Sequence, residues 1–350
     1  MPKKKILVAP LNWGLGHATR CIPVIKALEA NDFEPIIASD GAALSLLKKE
    51  FPYLKFYELP SYDIRYARKG FFFKSKILLK SFKISQTIAE ERKAALEIYA
   101  QEGLSGIISD NRLGVNCKFV PSVFMTHQLN VLTGNTTYFS SKLHQHYIKK
   151  FKECWVPDVE GSPNLSGKLG HLKDKHHFNL RYIGPLSRLS QKDLLSIYDL
   201  MVILSGPEPQ RTLLEEKLLH ELKDYDKKVI FIRGVMEDVQ TKETQGNLTI
   251  YNFLTGEELE NAFNQSETVL SRSGYTTLMD LAKLKKKAFF IPTPGQTEQV
   301  YLAKRLQEKG IAPSCKQHQF SLKKLEEIEL YKGLSFDSGV FEWRDMFSLF

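Results

Sequence analysis

Three short stretches of this 350-residue chain combine tight turns with side chains that can move protons or bind phosphates and sugars. The first is Asn12-Trp-Gly-Leu-Gly-His-Ala-Thr-Arg20, directly behind an apolar run. Gly14 and Gly16 allow a sharp strand-to-helix turn and a close approach of a ligand to the backbone. His17 then falls at the start of a helix, where the dipole disfavours imidazolium and keeps the ring available as a base. The alternative is a glycine turn with an incidental histidine, because a bare GxG is weak evidence.

The second stretch is Ser271-Arg-Ser-Gly-Tyr-Thr-Thr-Leu-Met-Asp280, which also follows an apolar run. Ser273 and Gly274 are expected to open a helix whose free amides and dipole suit a diphosphate, and Arg272 adds positive charge there. Asp280 lies about two turns further on, at ~3.6 residues a turn. From there its carboxylate could accept hydrogen bonds from both hydroxyls of a ribose. The alternative is a capped helix with a solvated aspartate.

The third stretch is Ile291-Pro-Thr-Pro-Gly-Gln-Thr-Glu-Gln299, the end of a strand running into a loop and a helix. Gln296, Glu298 and Gln299 are compact hydrogen-bonding groups of the kind that bind sugar hydroxyls. Taken alone, the stretch is an ordinary proline-rich turn.

Alternating strand-like and helical segments must position these motifs. In the first half the predicted strands are Lys5–Ala9, Glu34–Ala38, Lys55–Leu59, Gly106–Ser109 and Ser122–Thr126, with helices such as Ile22–Ala30 and Ala42–Lys49 between them. A second series follows Tyr182–Arg188, with predicted strands Leu200–Leu204, Lys228–Ile232, Leu248–Tyr251, Thr268–Leu270 and Ala288–Ile291. This alternation predicts an α/β protein with two Rossmann-like domains. We place them at residues 1–182 and 183–350, with the C-terminal segment packing back on the first.

The predicted topology also adds a second candidate for the base. Asp110 directly follows the strand Gly106–Ser109, so its carboxylate should lie at the same edge of the sheet as His17. It is the reserve candidate for proton transfer.

The composition indicates a cytoplasmic protein. The four cysteines are far apart and form no CxxC pair, which argues against a disulfide framework and a zinc site. The net charge of +9 needs an anionic partner. The chain carries no recognised nucleic-acid module, so we expect no nucleic acid. A phosphorylated substrate or an anionic membrane surface fits better.

The stretch Arg65–Lys83 concentrates this charge, with seven Lys or Arg residues and no acid. Three phenylalanines, Phe71, Phe72 and Phe73, lie within it. This combination predicts peripheral contact with an anionic membrane, at the inner face of the plasma membrane. The alternative is a solvated face of a helix that packs on the core.

Taken together, the motifs Ser271–Asp280 and Pro292–Gln299, with Gly14–His17 upstream, resemble those of the peptidoglycan N-acetylglucosaminyltransferase family that makes lipid II (glycosyltransferase family 28). They are also similar to the wider set of UDP-sugar transferases with the GT-B fold, in which two Rossmann-like domains face a cleft. Pro121–Asn130 and Tyr182–Arg188 resemble the end of that family's N-terminal domain and its interdomain segment. The similarity covers nearly the whole chain and is strongest at the C-terminal motifs.

This resemblance implies an inverting, metal-independent transferase that needs no cofactor. Its first domain would bind a glycan or lipid-linked acceptor and its second a UDP-sugar carrying a hexose or N-acetylhexosamine, with UDP-GlcNAc as a candidate donor. It implies that the helix after Arg272-Ser-Gly274 holds the diphosphate, Asp280 the ribose, and Gln296, Glu298 and Gln299 the donor sugar. Backbone groups around Phe253 and Leu254 would flank the uracil, and His17 or Asp110 would be the base.

Departures from the family pattern keep two other functions open. The loop Ser205-Gly-Pro-Glu-Pro-Gln-Arg211 replaces a glycine-rich phosphate loop, and its prolines lack amide donors. Gln210 or Arg211 could compensate. Asp280 stands where glutamate is usual, and Lys285-Lys-Lys287 replaces a turn of small residues. The alternatives are a UDP-sugar 2-epimerase and a non-catalytic subunit that binds a nucleotide sugar.

Overall fold

A computed structural model describes residues 2–62, 73–132, 137–175, 177–235, 237–335 and 342–350, without the side chains of 73–82. The chain divides into two compact units. The first comprises Met1–Glu160, Lys168–Leu186 and Gly339–Phe350, and the second Gly161–Gly167 and Ser187–Ser338. The main change from one unit to the other thus comes after Leu186, four residues beyond the predicted boundary at 182.

The first unit is built on a parallel sheet. Its strands are β1 (Lys4–Pro10), β2 (Phe33–Ser39), β3 (Lys55–Glu58), β4 (Gly106–Asp110), β5 (Ser122–Met125), β6 (Glu153–Val156) and β7 (Leu180–Tyr182). They lie in the order β3-β2-β1-β4-β5-β6-β7, and every pairing is parallel. Ile6, Leu7 and Val8 on β1 are fully buried, as expected for a central strand covered on both faces.

The helices of the first unit are α1 (Leu15–Ala30), α2 (Gly41–Glu50), α3 (Phe73–Glu102), α4 (Thr137–Ile148) and α9 (Trp343–Phe347), with a 3-10 turn at Gly167–Leu169 between the units. Helix α1 begins seven residues before the predicted Ile22, and Pro23 lies inside it. No helix within the described ranges is both long and apolar enough to cross a membrane.

Helix α9 packs on the edge of the first sheet where strands begin. The ring of Phe347 lies 5.6 Å from Phe33 and 6.3 Å from Trp155, measured between centroids. Lys4 Nζ donates to the carbonyl oxygen of Phe350 at 2.8 Å. The ring of Phe350 fills the space at Gly106, where an added Cβ would lie 2.1 Å from it. The chain's last described residues are therefore part of the first unit's core.

The second unit is built on a six-stranded sheet. Its strands are β8 (Tyr198–Ile203), β9 (Val229–Ile232), β10 (Lys242–Gln245), β11 (Leu248–Tyr251), β12 (Ser266–Ser271) and β13 (Lys287–Phe290). Their order is β10-β11-β9-β8-β12-β13, parallel except for the antiparallel hairpin of β10 and β11. The helices are α5 (Gln210–Leu222), α6 (Gly256–Asn264), α7 (Tyr275–Lys283) and α8 (Thr297–Glu308), followed by 3-10 segments at Gln317–Gln319 and Leu322–Leu330.

The short segment Gly161–Gly167 belongs to the second unit although it lies before Leu186 in the chain. Arg305 Nη2 on α8 donates to Asn164 Oδ1 at 2.7 Å and to its carbonyl oxygen at 3.2 Å. These long-range bonds fasten the segment to α8. No motif in the sequence of this segment indicates the attachment.

The predicted α/β class with two Rossmann-like units is confirmed. The ten predicted strands all exist, most of them within two residues of the predicted bounds. Strands β6, β7 and β10 were not predicted, and they are the short or polar ones.

Candidate active site

The glycine turn of the first motif brings His17 to the carboxyl edge of the first sheet. Gly14 adopts φ +81°, a conformation that side chains disfavour, so glycine is required at this position. Helix α1 starts at the next residue and holds His17 in its first turn. The His17 side chain is 14% exposed, and Trp13 in the same turn is half exposed.

Asp110 ends β4, the strand paired with β1. Pro10 and Asp110 are register partners, and the amide of Leu11 donates to the carbonyl oxygen of Asp110 at 2.9 Å. Strand order reverses between β1 and β4, and open parallel sheets bind ligands at such a switch point. His17 Nδ1 lies 3.1 Å from Asp110 Oδ2 there. The structure thus brings the two predicted proton-transfer residues together.

Arg20, one turn after His17 on α1, joins the same cluster. Its Nε donates to Asp110 Oδ2 at 2.8 Å, and its Nη2 donates to Asp110 Oδ1. Nη2 also lies 2.8 Å from His17 Nδ1, and Nη1 lies 3.0 Å from Nδ1 of His127, just beyond β5. Arg20, Asp110 and His127 are at most 5% exposed. The result is a buried ion pair flanked by two imidazoles.

This environment separates the protonation states of His17 and Asp110. Burial lowers the pKa of His17, and the charge of Arg20 lowers it further, against the opposing effect of Asp110. The ring is therefore neutral at pH 7, chiefly through burial and not through the helix start that the sequence suggested. Burial opposes ionisation of Asp110, but the Arg20 charge outweighs it and lowers the Asp110 pKa to about 2. A carboxylate so acidic is a poor proton acceptor and a good partner for an imidazole N–H.

A second buried arginine holds the surrounding loops. Arg112 is fully buried, donates to Asp40 and, at 3.0 Å, to Glu91, and donates through Nε to the carbonyl oxygen of Pro10 at 2.9 Å. Its contacts tie the ends of β1, β2 and β4 to helix α3. Arg112 and its partners surround the sheet edge that carries His17, but they do not contact the His17 ring.

The second unit has its own switch point, between β8 and β12. The loop after β8 contains Gly206 at φ +109°, and a Cβ there would lie 3.5 Å from Thr293 Oγ1 in the loop after β13. Gly234, after β9, adopts φ +71°, and an added Cβ would lie 2.1 Å from the carbonyl oxygen of Leu204. Three adjacent loops therefore converge at close range around the start of α7.

Arg272 and Ser273 lie within this convergence but face the protein. Arg272 is 1% exposed, and its terminal nitrogens donate to four oxygens of the protein, those of Ile291 and Pro292 among them, at 2.8–3.2 Å. Burial lowers its pKa to about 10. Ser273 Oγ donates to the carbonyl oxygen of Gln299 at 2.8 Å. Direct contact of Arg272 with a phosphate would require these bonds to be given up.

Gly274 is the N-cap of α7, with extended backbone angles and no side-chain cap on the helix. Helix α7 begins at Tyr275, and the N-terminus of a helix suits a diphosphate. This part of the predicted site depends on the backbone and not on Arg272.

Asp280 lies on α7 and accepts a hydrogen bond of 2.6 Å from Ser187 Oγ. Burial raises its pKa to about 6, against the Ser187 bond and the charge of Arg188. It is ionised at pH 7 but close to titration. The sequence marked Ser187 and Arg188 as a connection between domains and not as neighbours of this carboxylate.

The glutamines of the third motif contact each other. Gln299 Nε2 donates to Gln296 Oε1 at 2.6 Å, and the Thr293 amide donates to Gln299 Oε1 at 2.8 Å. Gln299 is 9% exposed, while Gln296 and Glu298 are partly exposed. The pair thus shapes the loop after β13, next to Ser273.

Three other residues predicted for the donor site are Arg211, at the start of α5, and Phe253 and Leu254, after β11. Arg211 pairs with Glu208 at 2.5 Å and with Glu215, so its charge is already neutralised and the compensation suggested by the sequence loses support. Phe253 and Leu254 follow β11, which β9 and β8 separate from β12.

Over the described part of the chain, no group of three His, Cys, Asp or Glu side chains is arranged to hold a metal.

Comparisons with known proteins agree with this architecture. Residues 208–335 match the glycosyltransferase family 28 C-terminal domain. The UDP-N-acetylglucosamine--N-acetylmuramyl-(pentapeptide) pyrophosphoryl-undecaprenol N-acetylglucosamine transferase of Pasteurella multocida is 22% identical over 336 residues, or 93% of this chain and 88% of that protein. The Histophilus somni protein of the same name is 22% identical over 343 residues, again 93% and 88%.

Solved structures show the same fold. MurG of Acinetobacter baumannii covers 95% of this chain and 93% of its own, with a TM-score of 0.53 and 17% identity. A calicheamicin glycosyltransferase covers 100% and 95%, with a TM-score of 0.65 and 12% identity. The likeness extends over both units.

Proposed function

We propose a donor and an acceptor for this chain, which is a glycosyltransferase of the GT-B fold with a family 28 C-terminal domain, as its motifs indicated. The donor is UDP-N-acetylglucosamine and the acceptor is a hydroxyl on a lipid-linked sugar. The relatives over 93% of the chain carry that activity in their names. The matched family and these relatives are transferases, which does not favour the epimerase or the non-catalytic subunit.

The His17–Asp110 pair carries this proposal. Transfer with inversion is a single displacement, in which the acceptor oxygen attacks the anomeric carbon while UDP leaves from the opposite face. The acceptor hydroxyl loses its proton during the attack, and a general base contributes typically ~10²–10⁴-fold. His17 is neutral at pH 7, and its ring contacts Asp110 at 3.1 Å. With Nδ1–H donated to Asp110, Nε2 takes the proton and Asp110 stabilises the imidazolium.

The second unit supplies the donor site. The first-turn amides of α7 bind the diphosphate and stabilise the charge that develops on it as the bond breaks. Asp280 accepts hydrogen bonds from the ribose, and Gln296, Gln299 and Glu298 bind the sugar. We assign the uracil to the backbone at Phe253 and Leu254. The reaction needs no metal in this scheme, because backbone dipoles replace it.

A labelled-donor assay tests the proposal. UDP-N-acetylglucosamine labelled in the sugar is incubated with the full chain and an N-acetylmuramyl-(pentapeptide) pyrophosphoryl-undecaprenol acceptor, with and without EDTA. We expect labelled lipid and stoichiometric UDP, unaffected by EDTA, and a higher melting temperature with the donor than with ATP. Isomerised free sugar without acceptor would favour the epimerase, and an absolute metal requirement would contradict the metal-free scheme.

We also propose that the first unit contacts an anionic membrane, where a lipid-linked acceptor resides. The predicted stretch Arg65–Lys83 lies largely outside the described residues. A second surface supports the idea: helix α4 exposes Tyr138 by 67%, Phe139 by 75% and Leu143 by 60%. From 113 to 152 the sequence has five Lys residues and no acid. Exposed aromatic and apolar side chains among lysines are typical of interfacial helices.

A further inference from the structure

We propose that Arg20 is a positioning residue for the base, which orients the Asp110 carboxylate so that it accepts Nδ1–H of His17 and leaves Nε2 free. The inference rests on the proposed function, in which His17 is that base. It concerns a residue that the motif Gly14–Arg20 contains but whose role the sequence did not suggest.

The geometry of the ion pair carries the argument. Nε and Nη2 of Arg20 bind the two oxygens of Asp110 side by side, which fixes the plane of the carboxylate as well as its position. Asp110 has no exposed surface and Arg20 only 2%. A buried two-point bond of this kind leaves Asp110 one orientation, and in that orientation Oδ2 lies 3.1 Å from His17 Nδ1.

Two groups compete for Nδ1 of His17. Asp110 Oδ2, at 3.1 Å, can bond to Nδ1 only when that nitrogen carries a proton. Arg20 Nη2, at 2.8 Å, can bond to it only when it does not. Because Nη2 already donates to Asp110 and a bond to a buried carboxylate is charge-assisted, we assign the proton to Nδ1. This tautomer presents an unprotonated Nε2.

Charge balance predicts what happens when Arg20 is removed. The charged or titratable groups around His17 are Arg20 and Asp110, which contact its ring, and Cys21 and His127, which contact Asp110 and Arg20. With Arg20 present, its charge cancels that of Asp110. Without it a buried negative charge remains, and protonation of His17 is the nearest way to neutralise it. The base would then be occupied at neutral pH.

Nuclear magnetic resonance of the unliganded full chain, labelled with ¹⁵N and ¹³C in histidine, tests this directly. The His17 signals are assigned by their loss in His17→Gln. In the unsubstituted chain we expect the Nδ1–H tautomer and a pKa below the ordinary value. In Arg20→Met the His17 pKa should rise by about one unit or more, and in Arg20→Lys by less, because lysine restores the charge but not the two-point bond.

Arg112→Met is the matched control, since Arg112 is equally buried and also forms buried ion pairs, with Asp40 and Glu91, but does not contact His17. It should leave the His17 pKa and tautomer unchanged. If Arg20→Met and Arg20→Lys also leave both unchanged, or if the unsubstituted chain holds the proton on Nε2, the inference is overturned.

The titration requires no substrate, so it separates this inference from the proposed function. If transfer is measurable, the acid limb of kcat/KM should move to higher pH in Arg20→Lys by the same shift as the pKa. If no acceptor is ever glycosylated but the His17 pKa responds as expected, the proposed function fails and the positioning role of Arg20 stands. Arg20→Met combined with Asp110→Asn removes both charges and shows whether loss of the pair alone prevents folding.

Discussion

Ser187 Oγ donates a hydrogen bond of 2.6 Å to Asp280 Oδ1, so the first residue of the segment Ser187–Ser338 is bonded to the carboxylate proposed to bind the donor ribose. The bond favours the ionised form of Asp280, whereas burial favours the protonated form and sets the pKa at about 6. The proposed donor site therefore contains a carboxyl group, that of Asp280, that titrates close to physiological pH.

The first prediction is a pH-dependent donor affinity. Only ionised Asp280 accepts hydrogen bonds from both ribose hydroxyls, so affinity should fall as pH drops through about 6, by up to about tenfold per pH unit below it. Calorimetry with UDP-N-acetylglucosamine measures this, since its diphosphate diester does not titrate there. Asp280→Asn should bind weakly at all pH values, and Asn at the exposed Asp224 should change nothing. A flat profile in the unsubstituted chain would place the ribose elsewhere.

A second prediction concerns Ser187. Ser187→Ala removes a bond that lowers the pKa of Asp280, so the midpoint of the affinity profile should move to higher pH. At pH 8 the variant should bind the donor nearly as well as the unsubstituted chain. A loss of affinity that is equal at all pH values would show instead that Ser187 contacts the donor or supports the fold.

The third prediction separates the roles of His17 and Asp110. His17→Ala should keep donor affinity within a few-fold and lower kcat by ~10²-fold or more, because only proton removal is lost. The lowered pKa of His17 leaves it unprotonated above its ordinary 6.5, so activity should decline only at lower pH. Asp110→Asn should lower kcat, because an asparagine amide can hydrogen-bond to either tautomer of His17 and no longer holds the proton on Nδ1. Full activity in His17→Ala with none in Asp110→Asn would transfer the base to Asp110.

A fourth prediction tests the close packing of the loops that follow β8 and β9 in the second unit. Gly234→Ala should lower the free energy of unfolding by more than about 2 kcal/mol, since it adds backbone strain at φ +71° and a clash with the carbonyl oxygen of Leu204. Gly246→Ala is the control: φ is +57°, but nothing lies within 4 Å of its Cβ. It should lose only the strain, about 1–2 kcal/mol. Chemical denaturation of both variants measures these free energies of unfolding. Equal losses in the two variants would show that the protein relieves the contact at Gly234 without cost.

The fifth prediction addresses the surface of α4. The full chain should sediment with vesicles that contain anionic lipid, and less so in high salt, because exposed charges are screened within ~10 Å at 0.1 M. Phe139→Ser with Leu143→Ser, or Glu at Lys142, Lys149 and Lys150, should reduce sedimentation. Ser at Leu195 and Leu330, which are 89% and 83% exposed in the second unit, is the matched control. Equal sedimentation on neutral and anionic vesicles would remove the electrostatic part of the proposal.

The fold could be predicted where hydrophobic runs are long enough to specify a buried strand. Strands such as β1 and β11 were found close to their predicted bounds because apolar residues occupy nearly every position. Strand β10, Lys242–Gln245, is exposed throughout and exists only because β11 pairs with it. The helical pattern from Ile22 placed Pro23 in a first turn, where proline is tolerated, but α1 begins at Leu15 and holds Pro23 in its interior. The motif analysis, which put His17 at a helix start, was the better guide.

The sequence predicted which strand ends carry the site, but it did not predict which side chains bond to each other there. Glycine turns and strand order were enough to bring His17 and Asp110 to one edge. The partner of Asp110, however, is Arg20, and nothing in local sequence distinguishes this arginine from Arg272 or Arg211. Each guanidinium donates to the oxygens that the folded loops place around it, whether these belong to carboxylates or to backbone carbonyls. Long-range contacts of this kind are decided only when the chain folds.

The return of Gly339–Phe350 to the first unit means that the polypeptide passes between the units at both ends of Ser187–Ser338. In topological terms the segment Ser187–Ser338 is an insertion into the first unit. After one proteolytic nick in the exposed stretch 191–197, the C-terminal fragment would still carry Phe347 and Phe350, whose rings pack on Trp155 of the other fragment. A fragment ending at Leu186 would lack the rings of Phe347 and Phe350 that cover Trp155. Isolation of the first unit therefore calls for a circular permutation or for splicing residues 339–350 back onto it.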